Sequence, residues 1–125
     1  MVLTNNVIQD LADYQGAFRE FGRLLRSGGT YLHIANHPCF MTPVWGWVRD
    51  EEGRRLYRKV DRYFQRGPFL CPGGARSGME PTVYWHRTLS DIMNQLISCG
   101  FDIARVIEPE PPECWRSLCP DRLEG

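Results

Sequence analysis

The 125-residue chain has no surplus of charge of either sign: fifteen Lys and Arg balance fifteen Asp and Glu. Proteins that hold nucleic acid by its phosphates ordinarily carry a basic excess, so nothing here supports a nucleic-acid partner. No apolar run comes near the roughly 20 residues that a membrane-crossing helix needs. Residues 1–12 hold two Asn and one Asp and no basic cluster, unlike a secretory signal. Cysteine is sparse and odd in number. Cys39, Cys71, Cys99, Cys114 and Cys119 form no CxxC pair and fit no disulfide scaffold, so reduced thiols and a cytoplasmic location are expected. Internal repeats are absent. What is present is a hydrophobic share of 42%, ordinary for one globular domain.

The strongest local pattern is helical. Tyr14, Ala17, Phe18, Phe21, Leu24 and Leu25 recur at helix spacing, with Arg19, Glu20, Arg23 and Arg26 on the other face. Asp13 stands at the N-cap, where its carboxylate can accept from free N–H groups. Gly28 and Gly29 supply a stop, since glycine takes the left-handed conformation without a Cβ clash. These signals predict a helix over residues 13–26. Thr-Tyr-Leu-His-Ile at 30–34 then reads as a strand, and the short apolar stub at 2–5 as another. A second helix is predicted over 88–99. Thr88 caps it, Asp91 completes a capping-box pair, Leu89, Ile92, Met93, Leu96 and Ile97 form its stripe, and Gly100 ends it. Residues 82–86 read as extended and 101–107 as a strand, ended by the prolines that follow Glu108.

Residues 35–81 look irregular. Pro38, Pro43, Pro68 and Pro72 interrupt them, yet Trp45, Trp47, Tyr57, Tyr63, Phe64 and Phe69 are residues a chain buries. An ordered excursion is expected, with a short helix around 51–63 and a loop at the glycine cluster of Gly73, Gly74 and Gly78. The basic run Arg54, Arg55, Arg58, Lys59 and Arg62 is broken by Asp61 and reads as a solvated face.

Several of these segments, in order, resemble one family. The run from Leu11 to Gly29 ends Arg-Leu-Leu-Arg-Ser-Gly-Gly. It is similar to the helix-to-strand passage of type-11 domains of class I S-adenosylmethionine-dependent methyltransferases, with Ser27 where proline is usual. His37-Pro-Cys-Phe, then Tyr84-Trp-His-Arg-Thr-Leu-Ser-Asp, then Cys99-Gly-Phe and Glu108-Pro continue the likeness over roughly residues 2–110. The resemblance implies an α/β fold: a partial doubly wound, Rossmann-like methyltransferase sandwich that lacks its N-terminal strands and cofactor loop. In it residues 2–5, 30–34 and 101–107 would be the fourth, fifth and sixth strands. The family's glycine-rich loop, the acidic residue ending its second strand and its final strand have no counterpart here. Residues 1–125 are therefore expected to form the C-terminal part of one domain.

The resemblance implies S-adenosyl-L-methionine as cofactor of the full domain, weakly or not bound by this chain alone, and a small-molecule substrate. Asn5, Asn6 and Gln9 would border the cofactor, though they read equally as a polar loop. His37, Phe40, Tyr84 and His86 would line the substrate pocket, though both histidines read equally as loop residues bonded to backbone. No catalytic residue is assigned, because the sulfonium arrives activated and asks mainly for positioning. His37, Cys39, Cys71 and His86 have the types of metal ligands but not the clustered spacing, and Cys39 with His86 as nucleophile and base would need a depressed thiol pKa. No metal is expected. The alternative is a non-catalytic interaction module of the same fold, self-associating or pairing through an exposed sheet edge.

The cap assignment is directly testable. Thr88→Ala should cost about 1 kcal/mol of unfolding free energy, read from denaturant melts; an unchanged midpoint would remove Thr88 from the cap.

Overall fold

The computed structural model describes residues 1–71, 80–110, 112 and 114. The glycine cluster Gly73, Gly74 and Gly78 and the unpatterned tail beyond Cys114 lie outside the described residues. Strands β1 (Val2–Asn5) and β2 (Tyr31–Ile34) pair in parallel, from Val2 opposite Tyr31 to Asn5 opposite Ile34. Parallel neighbours need a crossover connection, and helix α1 (Tyr14–Leu24) supplies it. The expected βαβ unit is present.

Asp13 caps α1, accepting from the Gly16 N–H at 2.7 Å. Glycine suits that position because a Cβ there would lie 2.1 Å from Asp13 Oδ2. The helix stops two residues earlier than expected. Leu25 is already extended, and the left-handed Gly28 (φ 73°) serves a separate turn, in which Gly29 N–H donates to the Arg26 carbonyl. Helix α2 (Leu89–Ser98) has its full capping box: Thr88 Oγ1 accepts from Asp91 N–H, and the Asp91 carboxylate from Thr88 N–H. That carboxylate also takes Arg66 at 2.6 and 3.0 Å, and the guanidinium holds it down to about 2.

Both helices cover one face of the β1–β2 pair. Phe18, fully buried, meets the rings of Tyr14, Phe21 and Tyr31 at 5.7, 6.3 and 6.0 Å, and Ile8, Ile92 and Leu96 complete the core. Phe18 and Leu96 are buried. The opposite face of the pair is the open one: Leu3, Leu32 and Ile34 are 53%, 46% and 45% exposed. The pleat sends alternate side chains to opposite faces, and among the described residues only one face has helices on it.

Two sequence expectations fail. Residues 35–71 carry three strands, and there is no helix at 51–63. β3 (Val44–Arg49) and β4 (Arg55–Asp61) form an antiparallel hairpin, and β5 (Gly67–Cys71) pairs antiparallel with β6 (Thr82–His86). Arg, Leu and Lys in β4 are good helix formers, but their cross-strand partners override that preference. Arg58 lies opposite Trp47, with its guanidinium 4.9 Å from the Trp45 ring and 5.5 Å from that of Trp47. Such cation–aromatic pairs stabilise a sheet face. The second failure is the strand at 101–107. Phe101 packs on the core, and residues 102–107 are exposed and without a ladder among the described residues. β-forming residues are a weak signal until a neighbouring strand offers hydrogen bonds.

The layers meet at three consecutive buried polar residues, His86, Arg87 and Thr88, which are 0%, 8% and 1% exposed. His86 Nδ1 and Nε2 lie 3.0 and 2.7 Å from the carbonyls of Met41 and Tyr63. Arg87 donates to the carbonyls of Ile8 (2.8 Å), Ala12 (3.0 Å) and Leu11, and its guanidinium sits 4.0 Å over the Tyr14 ring. Burial pushes its pKa down.

Replacing Arg87 by Met keeps the stem and leaves three carbonyls without their donor. Arg87→Met should therefore cost on the order of 3 kcal/mol, measured by denaturant unfolding. A loss within the range of ordinary surface substitutions would show that the arginine does not hold the β1–α1 loop.

Candidate functional site

Open α/β sheets bind ligands beyond the carboxyl ends of their parallel strands. Here those ends are tied together. Asn6 N–H donates to the Ile34 carbonyl at 2.8 Å, and Asn36 N–H donates to Asn6 Oδ1 at 3.1 Å. Asn6 adopts φ 52°, a left-handed conformation that asparagine takes more readily than most residues. Gln9 Nε2 donates to the Asn6 carbonyl at 2.6 Å.

A shallow cleft of about 30 Å³ opens at this point, room for about one or two waters. His33, Ala35 and Asn36 from the end of β2 form one side, and Ile8 and Gln9 after β1 form another. Pro38, Met41, Tyr84, Trp85 and Arg87 close it. A second, smaller cleft of about 10 Å³ shares Met41 and Tyr84 and is otherwise lined by Thr42, Pro43, Trp45, Phe69, Leu70 and Cys71.

Of the residues expected at the cofactor, only Gln9 lines a cleft. Asn5 is exposed at the end of β1, and Asn6 is the stitch between the strands. Of the residues expected at the substrate, Tyr84 lines both clefts. His37 accepts at Nδ1 from Cys39 N–H at 3.2 Å and stacks edge-on to Phe40, which is 48% exposed. His86 lies behind the wall, bonded to two carbonyls, because the β6–α2 joint needs a polar side chain there.

Sequence reasoning missed His33 and Arg87. His33 faces the core side of β2 with Tyr31, two residues apart on one face of the pleat. Its Nδ1 lies 3.1 Å from Thr4 Oγ1 and 3.3 Å from the Tyr31 hydroxyl, and those two oxygens are 2.7 Å apart. Its Nε2 is buried and has no hydrogen-bond partner. Burial pushes the imidazole pKa down, so the ring is neutral near pH 7. The alternation of Tyr31 and His33 was the available signal. Arg87 had none, because an arginine before an N-cap is ordinary on a surface. It is the one charged side chain among the residues lining the first cleft. Burial also pushes the Tyr84 phenol up to about 12, so it stays protonated.

The nucleophile and metal arrangements find no geometry. Cys39 Sγ lies 2.9 Å from His37 Nδ1, but burial pushes its thiol up, away from thiolate. His86 is held elsewhere by the two carbonyls. Among the described residues no group of three or more His, Cys, Asp or Glu side chains is placed to hold a metal ion. Among the described residues no helix is long and apolar enough to cross a membrane.

Neither a family model nor a curated protein matches the chain. Solved structures do. One is a Listeria monocytogenes protein assigned as an S-adenosylmethionine dependent methyltransferase: 30% identical, TM-score 0.78, matched over 94% of this chain and 54% of its own. Another is an S-adenosylmethionine dependent methyltransferase of Mesorhizobium loti: 29% identical, TM-score 0.78, matched over 98% of this chain and 54% of its own. The chain spans about half the length of the methyltransferases it matches and shares the fold of that portion.

The raised Cys39 pKa has a measurable consequence. Thiolate is the alkylated species, so at pH 7 Cys39 should react with iodoacetamide more slowly than a free cysteine of pKa about 8.5. Peptide mapping reads the rate at each thiol; faster labelling at Cys39 would restore it as a candidate nucleophile.

Proposed function

We propose that the chain is the C-terminal portion of a type-11 S-adenosylmethionine-dependent methyltransferase domain acting on a small molecule. The observation that carries this reading is the match of nearly the whole chain to two methyltransferase structures, with a cleft where such folds bind ligands. The residues present fit one side of a cofactor site. Gln9 and Asn36 offer amides at the strand ends, and His33 Nε2 is a buried polar atom that lacks a partner. A glycine-rich cradle is not found among the described residues, so the chain by itself supplies part of the contacts. S-adenosylmethionine, when bound, supplies an electrophilic methyl group.

The chain's own residues then orient and shelter. Arg87 and the Asn6 stitch hold the walls of the first cleft. Protonated Tyr84 can donate a hydrogen bond to an acceptor atom. Met41, Trp85 and Ile8 keep water from that side. A second reading is favoured by a separate observation. The open apolar face of Leu3, Leu32 and Ile34 on a parallel pair suits a non-catalytic module that pairs with another chain. A cytoplasmic setting goes with either reading.

Calorimetry with S-adenosylmethionine tests the proposal. The purified chain should bind it weakly or not at all. Mixing in the segment of the Mesorhizobium loti protein that this chain does not match should raise the affinity at least about tenfold, or 1.4 kcal/mol. Tight stoichiometric binding by the chain alone would end the partial-domain reading. No gain in the mixture, together with a defined oligomer in light scattering, would favour the interaction module.

A further inference from the structure

Thr4 and His33 are paired across the β1–β2 ladder, and Tyr31 shares their face. The Thr4 hydroxyl, in a residue 6% exposed, lies 2.7 Å from the Tyr31 hydroxyl, and His33 Nδ1 lies 3.1 and 3.3 Å from the two oxygens. Two hydroxyl hydrogens thus serve three atoms. With the ring neutral and Nδ1 bare, one hydroxyl donates to the other and the second donates to Nδ1, so every contact has a donor and an acceptor. An imidazolium carries hydrogen on both nitrogens. Its Nδ1 would have to donate, and both hydroxyls would have to turn. Its Nε2 is buried and finds no partner among the described residues. The surroundings offer no counter-charge either. From α1, Phe18 presents its ring edge-on at 6.5 Å. On β2 the Tyr31 phenol stays protonated, because burial pushes its pKa up. The other ionisable groups of the cleft that His33 lines are the protonated Tyr84 phenol and the Arg87 guanidinium. Gln9 and Asn36 bring amides, and no carboxylate lines that cleft among the described residues.

We propose that His33 is a pH-sensitive latch on the carboxyl ends of β1 and β2: neutral, it closes them through Thr4 and Tyr31; protonated, its ring leaves those hydroxyls and the strand ends open. A second cation in a cleft that already holds Arg87 is repelled, and burial works in the same direction by pushing the imidazole pKa down in the closed state. In the open state the ring regains the ordinary histidine value of about 6.5. The open state therefore holds the proton more tightly, so opening is suppressed above that value and favoured as pH falls below it. The bond from Asn6 N–H to the Ile34 carbonyl ties the strand ends beside this cluster, and its opening reports the latch. The device is independent of what the cleft binds.

Two nuclear magnetic resonance measurements on the purified chain test the latch. The His33 ring should titrate below the ordinary histidine value. Hydrogen exchange at the Asn6 amide, corrected for the intrinsic pH dependence of exchange, gives the opening constant of the strand ends. It should rise about three- to fivefold from pH 6.5 to 5.5, the response of an equilibrium linked to one such proton. Carboxylates ordinarily titrate near 4, so they contribute little over this range. Amides inside α1 should not follow the rise. His33→Gln keeps a hydrogen-bonding side chain and removes the titration; its Asn6 opening constant should stay flat over the same range. A ring titration at or above the ordinary value, an Asn6 opening constant indifferent to pH, or an equal rise in α1 or in the His33→Gln variant would each overturn the inference. If that variant fails to fold, the ring titration and the exchange of the unaltered chain still decide.

Discussion

Three adjacent buried polar side chains hold the described parts of this protein together. His86, Arg87 and Thr88 follow one another between β6 and α2, and each faces a different element. His86 reaches back to Met41 and Tyr63 in the excursion, Arg87 to the loop between β1 and α1, and Thr88 to the first turn of α2. Loops carry backbone carbonyls that no ladder satisfies, and burying them without partners is costly. Polar residues at the joint meet that need, where leucine or valine could not. The same joint sets Tyr84 and Trp85 at the cleft, so the wall of the candidate site and the packing of α2 have one cause.

The parallel pair explains the other unusual feature. Parallel strands normally have both faces covered. α1 and α2 cover the face of Thr4, Tyr31 and His33, which lets a hydroxyl–hydroxyl–imidazole contact form in a half-buried setting. Leu3, Leu32 and Ile34 stay open on the other face. The matched methyltransferases are about twice this length.

Burial mutes the electrostatics of this region. His33 is neutral, Tyr84 is protonated and the Cys39 thiol is pushed up, all chiefly by burial. Hydrolytic chemistry asks for a nucleophile and base with pKa values drawn toward each other and toward neutrality. Under the proposed methyltransferase reading, an already activated sulfonium would ask for orientation and a sheltered site.

The amino-acid order alone determined the parts whose causes are local. Asp13 and Thr88 declared their helices through caps that act within three residues. The stripes of α1 and α2 named Phe18, Ile92 and Leu96 as core, and the β1–α1–β2 unit with its family likeness pointed to the fold. Tertiary structure decided what depends on a distant partner. β4 is a strand because Trp45 and Trp47 lie across from it, against the helical preference of its own Arg, Leu and Lys. Residues 102–107 have strand composition and no neighbour to pair with among the described residues. Arg87 and His33 became cleft residues only when chain segments about thirty to eighty positions away closed on them. Hydrogen bonds and burial over such separations leave no trace in a local pattern, because the same residues on an open surface would read the same way.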